Sequence, residues 1–411
     1  MGKAPGKTSS KPMPKQVKKR QVFYVPGFDP FHARRYRELY RSESTDQAEI
    51  SGYEITQTRK EGGGPYGWHV AAKIDGVAVA ADVDVLIWAD IVRKSMKAGI
   101  LGTYAQLAST AWIYISTGVL FRLTRLRKGP VIAALYPVVM LLGQLILAAV
   151  ASLAVGYLLA FITPWISGLG LLAGYALLLW FRKKDGKIYA YYLLHDFAFS
   201  ARWRGANPPA IETRLAAFSD QIAAALQSDV DEVLIVGHSS GAHLAVSALA
   251  DVIRQGRVPE NGPALAFLSL GQAVPMVSFL PNANRLRADL NYLCQRDELF
   301  WLDVTAPGDG CCFALCDPVS VSGVAPDSGK KWPLMISAAF TQSLSPERWR
   351  ELKRRYFRLH FQYLCAFDAP RDYDYFQITA GPVALADRFK GRVSSKSRID
   401  KAVSGYRGMT P

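Results

Sequence analysis

The chain has 411 residues, of which 50% are hydrophobic, and 49 Lys and Arg against 34 Asp and Glu give a formal net charge of +15. A chain of this length buries an ample apolar core, so its stability does not require disulfides or structural metals. The five cysteines are odd in number and lie late in the chain, which indicates reduced thiols in a cytosolic compartment. Cys311, Cys312 and Cys316 lack a paired C-x-x-C or a nearby histidine, so we expect no bound metal, and no pattern calls for a cofactor.

The net positive charge predicts a polyanionic partner, either nucleic acid or anionic lipid. No zinc-finger, helix-turn-helix or RNA-binding signature accompanies the charge, so the sequence favours lipid headgroups over nucleic acid.

Residues 1–20 carry seven Lys or Arg and no acidic residue, which predicts a disordered basic arm, solvated or resting on anionic headgroups. The arm has no apolar h-region, so it is not a signal peptide, and Gly6 does not fit the myristoylation pattern. A second basic segment, residues 391–411, ends the chain. We expect a first half of the folded domain over 21–97, a membrane region over 98–187 and a second half over 188–390.

The first half reads as strands with one early helix. A strand over 21–25 meets a turn that contains Pro26, Gly27 and Phe28, and a helix over 32–41 follows. Two or three further strands are predicted around 53–58, 68–74 and 77–88, with His69 as an ordinary strand residue.

The middle of the chain is typical of a membrane hairpin, because residues 131–181 contain no charged residue. A break near Thr163 to Gly168 gives spans of about 131–159 and 165–181. Basic residues crowd both outer flanks and are absent from the turn, so the positive-inside rule places both flanks in the cytoplasm. Residues 98–121 are also uncharged but rich in Thr, Ser, Gln and Gly, and we expect an interfacial or buried helix there.

The second half alternates strands and helices. Strands are expected over 187–194, 264–270 and 299–304, and helices over 211–226 and 283–294. His195 and Asp196 could form a catalytic acid–base pair, but we interpret them as a strand-end cap.

The most informative stretch is VLIVGHSSGAHLAVSAL, residues 233–249, where a β-branched run ends in Gly237-His-Ser239-Ser240-Gly241 and a helical pattern begins at once. A G-x-S-x-G turn between a strand and a helix exposes its serine hydroxyl and needs glycine on both sides. On these residues the chain resembles the α/β-hydrolase family of serine hydrolases. The resemblance implies an α/β fold with a mostly parallel sheet flanked by helices, here interrupted by the membrane hairpin, and Ser239 as nucleophile.

The resemblance also implies an oxyanion hole and a general base. The N–H groups of Phe28 and Ser240 would hold the oxyanion, although Pro26-Gly27 departs from the family's usual His-Gly, and a simple tight turn is the alternative. Only His243 and His360 follow Ser239, and His243 lies one turn along the same helix. That leaves His360 as the base, in a segment similar to the H-x-x-Y segment of some bacterial lipase-like hydrolases; a partly buried helix histidine is the alternative.

The acid is expected just past a strand. Asp309 in the turn after the strand over 299–304 is our first choice, Asp317 the alternate and Asp303 a distant third.

The sequence therefore predicts a serine hydrolase anchored in the inner (plasma) membrane and facing the cytoplasm, which cleaves a lipid or other long acyl ester through an acyl-enzyme. An acyltransferase with the same triad and a catalytically inactive membrane-anchored binding protein are the alternatives. A channel or transporter is disfavoured, because the hairpin has no ionisable residue to mark a pathway. The sequence does not define an oligomeric state.

Overall fold

The computed structural model describes residues 16–61 and 64–410. The strands are β1 Lys19–Val25, β2 Glu54–Arg59, β3 Gly67–Ile74, β4 Val77–Val85, β5 Glu232–His238, β6 Ala264–Leu270, β7 Leu299–Thr305 and β8 Leu334–Ser337. The helices are α1 Arg34–Ser51, α2 Ala89–Ser95, α3 Ile100–Ser116, α4 Val119–Leu123, α5 Lys128–Ala160, α6 Gly170–Lys183, α7 Asp185–Ile188, α8 Ala190–Arg202, α9 Pro209–Ala225, α10 Gly241–Arg254, α11 Val274–Ser278, α12 Asn284–Leu293, α13 Pro318–Val321, α14 Phe340–Ser343, α15 Pro346–Leu352, α16 Tyr356–His360, α17 Tyr375–Ala380 and α18 Leu385–Arg388.

All eight strands form one sheet in the order β2-β3-β4-β1-β5-β6-β7-β8. The pairs β2–β3 and β3–β4 are antiparallel, and every pair from β4 to β8 is parallel. The expected α/β class with a mostly parallel sheet is therefore confirmed. Strands β1 and β5 are neighbours in the sheet, so the chain segments before and after the apolar block build one domain.

Helices cover both faces of the sheet. Successive side chains of a strand point to opposite faces, and in β5 both sets are buried, so each face needs a layer of helices. In β5, Leu234 and Val236 join a core with α1 and α17, whereas Val233 and Ile235 pack with α9, α10 and α12 on the other face. The parallel strands β1, β5, β6 and β7 end at the same edge of the sheet, which brings the loops after them together.

Two described helical segments, Lys128–Ala160 and Pro164–Lys183, are long and apolar enough to cross a membrane by length and composition. They match the expected spans, and a 3₁₀ turn, Pro164–Leu169, joins α5 to α6. The two helices approach closely through small residues: a Cβ on Gly170 would lie 2.3 Å from the Ser152 carbonyl oxygen, and one on Gly174 would lie 2.5 Å from that of Ala148. Glycine four residues apart allows this backbone contact between apolar helices.

Helix α3 lies beside this pair, where an interfacial or buried helix was expected. One side of α3 is buried, including Leu107 and Tyr114, and the other exposes large apolar side chains, with Leu101 84% and Trp112 71% exposed.

Three expectations were wrong. Residues 187–194 are not a strand but the end of α7 and the start of α8, and Asp196 therefore lies within a helix rather than at a strand-end cap. Residues 16–20 are not part of a disordered arm: Gln16 bridges Val383 and β1 begins at Lys19. Residues 1–15 of the expected arm lie outside the described residues.

Candidate active site

Ser239 lies in the sharp turn between β5 and α10. Strand β5 is buried along its whole length and ends at His238, and α10 begins at Gly241. The φ of Ser239 is 56°, in the left-handed region that a non-glycine residue adopts at a cost and mostly at functional sites. Its N–H donates to the Leu270 carbonyl at 2.9 Å, and its carbonyl accepts from the Ala242 N–H at 3.1 Å, so the turn is fixed at both ends.

The two glycines of the motif are required by close backbone contacts. A Cβ on Gly237 would lie 2.8 Å from the Cα of Ala242, and one on Gly241 would lie 2.1 Å from the Val25 carbonyl oxygen. A side chain at either position would displace backbone, so the turn depends on glycine for space.

The early turn after β1 lies directly against Ser239. A Cβ on Gly27 would be 3.0 Å from the Cβ of Ser239 and 3.4 Å from its Oγ. The turn is held by side chains around it: the Trp88 indole N–H donates to the Pro26 carbonyl at 2.8 Å, and the Tyr192 hydroxyl donates to the Phe28 carbonyl at 2.5 Å.

Asp29 fixes the far side of the same turn. Its carboxylate accepts from the Phe31 N–H at 2.9 Å, from the Arg35 guanidinium at 3.0 Å and from the Tyr36 hydroxyl. Within the described chain, the N–H groups of Phe28 and Ser240 donate no hydrogen bond. Both N–H groups are therefore available to an acceptor, as the donors of an oxyanion hole must be.

His360 and Asp309 are hydrogen-bonded, with His360 Nδ1 2.7 Å from Asp309 Oδ2. Asp309 lies in the loop just after β7, and His360 is the last residue of α16. Burial alone would raise the pKa of Asp309, but the charge and hydrogen bond of His360 and the Cys311 N–H outweigh burial and hold this pKa below its usual value. An ionised Asp309 keeps the proton of His360 on Nδ1 and leaves Nε2 free to accept one.

Two further residues position this pair. Tyr363 donates its hydroxyl to Asp309 Oδ2 at 3.1 Å, which gives the H-x-x-Y spacing a physical reason. His238 Nε2 donates to the His360 carbonyl at 3.0 Å, and the centroids of the two rings lie 4.8 Å apart with the ring planes tilted by 37°. Burial, followed by the charge of His360, lowers the pKa of His238 to about 3, so this ring is neutral.

The other candidates from the sequence, two aspartates and one histidine, do not belong to this hydrogen-bonded pair. Asp317 caps α13 by accepting from the N–H groups of Val319 and Ser320, and it pairs with Lys330. Asp303 accepts from the Ser269 hydroxyl at 2.5 Å, and burial raises its pKa to about 7. His243 makes no side-chain hydrogen bond through Nδ1 within the described residues. The structure therefore pairs His360 with Asp309 and not with either alternate.

Ser239 and His360 line the same cleft, a cavity of about 70 Å³. Phe28, Tyr192 and Phe361 form much of its apolar wall. Within the described residues the Ser239 hydroxyl makes no hydrogen bond, although it lines the same cleft as His360. The cleft is large enough for a reacting ester group, but far smaller than the 300 Å³ or more of typical drug-sized sites.

Asp196, expected from the sequence to be part of a strand-end cap, also lines this cleft. Its carboxyl group has no hydrogen-bond or ion-pair partner among the described residues, and burial raises its pKa to about 7. A carboxyl group in a cleft whose pKa is strongly raised by burial is a frequent feature of functional sites.

The oxygen, sulfur and nitrogen of Asp309, Cys311 and His360 lie within 4.8 Å of one another, a set that could hold a metal ion. Two tetrahedral zinc ligands lie about 3.3 Å apart, whereas the 2.7 Å between Oδ2 and Nδ1 fits a shared proton. Burial also raises the pKa of the Cys311 thiol well above its usual value, which disfavours the thiolate that a metal needs. The set therefore fits a hydrogen-bonded pair better than a metal site.

The fold and the cleft define an α/β protein that carries serine, histidine and aspartate at the carboxyl edge of a mostly parallel sheet. No protein-family model, no curated protein and no solved structure matches the chain.

Proposed function

We propose that the protein is a membrane-anchored serine hydrolase of the α/β-hydrolase type, which cleaves a lipid or other long acyl ester. The observation that carries this proposal is the convergence of three elements at one sheet edge: Ser239 in a left-handed turn, the His360–Asp309 pair and the glycine turn against Ser239. Such an arrangement supplies a nucleophile, a base with its orienting acid, and oxyanion donors.

In the proposed reaction Ser239 Oγ attacks the ester carbonyl while His360 Nε2 takes its proton. The N–H groups of Phe28 and Ser240 stabilise the oxyanion, and His360 then protonates the departing alcohol. Water, deprotonated by His360, attacks the acyl-enzyme and releases the acid and Ser239. The buried charge of Asp309 stabilises the imidazolium that forms in both steps.

Labelling by an alkyl fluorophosphonate tests the nucleophile. Membranes that contain the wild-type protein should be labelled, and membranes with Ser239→Ala should not, because the probe needs an activated serine. Ser228→Ala, an exposed serine at the end of α9, is the matched control and should label like wild type. Labelling of Ser239→Ala, or none of the wild type, would overturn the proposal.

The anchoring part of the proposal rests on the apolar surface of α5 and α6. Leu153, Leu171 and Leu172 expose 64–74% of their surface, and Trp165 in the connecting turn exposes 94%. Such an apolar surface is costly in water and matches the interior of a bilayer. Trp165→Cys should react with an impermeant maleimide only from the side opposite the catalytic domain, and Lys184→Cys only from the catalytic side.

A further inference from the structure

An apolar chamber of about 100 Å³ lies between α3, α5 and α8, next to the catalytic cleft. Its wall is formed by aliphatic and aromatic side chains, with Thr110 and Tyr114 as the polar exceptions. The Tyr114 hydroxyl is already bonded to the Met276 carbonyl at 2.9 Å. The chamber therefore suits a hydrocarbon and offers little to a polar ligand.

The chamber and the cleft share a wall. Phe197 lines both cavities, and neighbouring residues of the same helices line one each: Ala133 the cleft and Ala134 the chamber on α5, Leu193 the cleft and Leu194 the chamber on α8. Phe197 therefore belongs to the wall of the cleft and to the wall of the apolar chamber.

The chamber also reaches the apolar outside of the helices. Ile115 and Leu135 line it and are still 49% and 41% exposed, and around them lie the exposed side chains of Trp112 and Ile132. Helix α5, whose residues 131–138 contribute to this wall, is the longer of the two apolar helical segments. A chain of methylene groups could thus pass from a bilayer into the chamber without crossing water.

Helix α5 is also coupled to the catalytic loop. A Cβ on Gly129, at its start, would lie 3.0 Å from the Cα of Gly310, the neighbour of Asp309. Pro137, in the chamber wall, has no N–H to donate to the Ala133 carbonyl four residues earlier, which weakens the helix beside the cleft.

We infer that this chamber holds the first methylene groups of the acyl chain of the ester that Ser239 attacks, with Phe197 as the gate between the ester group and the chain. The inference rests on the proposed function and adds the place where the chain binds. The cleft takes the carbonyl and the chamber takes the chain, which enters from the bilayer side between α3 and α5.

The test uses the full-length protein in detergent and a series of p-nitrophenyl esters from four to sixteen carbons. Ala134→Phe fills the chamber, and Ala149→Phe places the same side chain on the exposed surface of α5 as a matched control. Ala134→Phe should lower kcat/KM for the sixteen-carbon ester about 10- to 100-fold, the range that a changed apolar pocket produces. The four-carbon ester should change less than about two-fold, since its chain stays in the cleft.

Phe197→Ala is the second variant, because it removes the gate without filling the chamber. It should raise the ratio of kcat/KM for the sixteen-carbon ester to kcat/KM for the four-carbon ester. Equal effects of Ala134→Phe on every chain length, or no effect on any, would overturn the chamber while Ser239-dependent hydrolysis of the short ester upheld the hydrolase. Absence of Ser239-dependent hydrolysis with every ester would overturn the hydrolase and the chamber together.

Discussion

His360 Nδ1 lies 2.7 Å from Asp309 Oδ2, although the two residues are 51 positions apart and belong to different elements. The loop after β7 supplies the carboxylate, and the end of α16 supplies the imidazole. Tyr363 bonds to the same carboxylate oxygen, so the base and its support come from one short segment.

Asp309→Asn should reduce the rate of labelling at Ser239 by about 10²- to 10⁴-fold, because an amide cannot stabilise the imidazolium and favours the wrong tautomer. Asp317→Asn is the matched control, since Asp317 caps α13 and does not touch His360. It should lower thermal stability while leaving the labelling rate of the folded protein within about two-fold. A larger loss in Asp317→Asn than in Asp309→Asn would contradict the assignment of the acid.

Gly27→Ala should slow the reaction without unfolding the protein. The new Cβ would lie 3.0 Å from the Cβ of Ser239 and 3.3 Å from the His238 carbonyl oxygen, so the turn must shift by a few tenths of an ångström. A small misplacement of the reacting groups raises the activation free energy. We therefore expect kcat/KM for a short ester to fall about 10- to 100-fold. Gly186→Ala, where a Cβ meets open space, is the control. Equal rates in the two variants would show that the turn after β1 is not part of the active site.

The buried ion pair between Arg20 and Glu232 predicts a large stability effect. The two side chains are 0% and 1% exposed and 2.6 Å apart, and they join β1 to β5. Glu232→Gln leaves the guanidinium buried without its counter-charge, and we expect the free energy of unfolding to fall by about 3–5 kcal/mol. The same substitution in the exposed pair with Arg350, Glu347→Gln, should change it by less than about 1 kcal/mol in a denaturant titration.

Much of the sheet was predictable, because each strand carries its own pattern. The strands β2, β3, β4, β6 and β7 lie within a few residues of their expected positions, and the G-x-S-x-G turn lies between a strand and a helix as expected. The two apolar helices were equally plain, since a run without charges is recognisable from composition alone.

Predictions from the local sequence pattern were wrong or incomplete where tertiary contacts determine the structure. The aromatic and β-branched run over 187–194 reads as a strand, but Leu194, Ala198 and Ala201 place one apolar face of α8 against the neighbouring helices. Strand β8 has four residues, too few to show an alternation. Asp196 and His238 were missed as site residues because nothing in their local sequence shows that they face His360.

The raised pKa of Asp196 predicts that its contribution to stability decreases as the pH rises, the opposite of the usual behaviour of a carboxyl group. Its pKa is 3.8 in the unfolded chain and about 7 in the folded protein, where burial raises it. Between these values the folded state binds a proton that the unfolded state has lost, so the contribution of Asp196 to stability falls as the pH rises from about 4 to 7 and stays low above. Asn does not titrate. Asp196→Asn should therefore be more stable than wild type at pH 8 by about 1–2 kcal/mol. This is less than the full pKa shift implies, because the side chain is partly exposed. The difference in stability should vanish near pH 4. The difference between the two proteins at each pH, from denaturant titrations, cancels the other titrating groups. A difference that is constant with pH, or that grows toward acid, would show that the Asp196 carboxyl is not held neutral in the cleft.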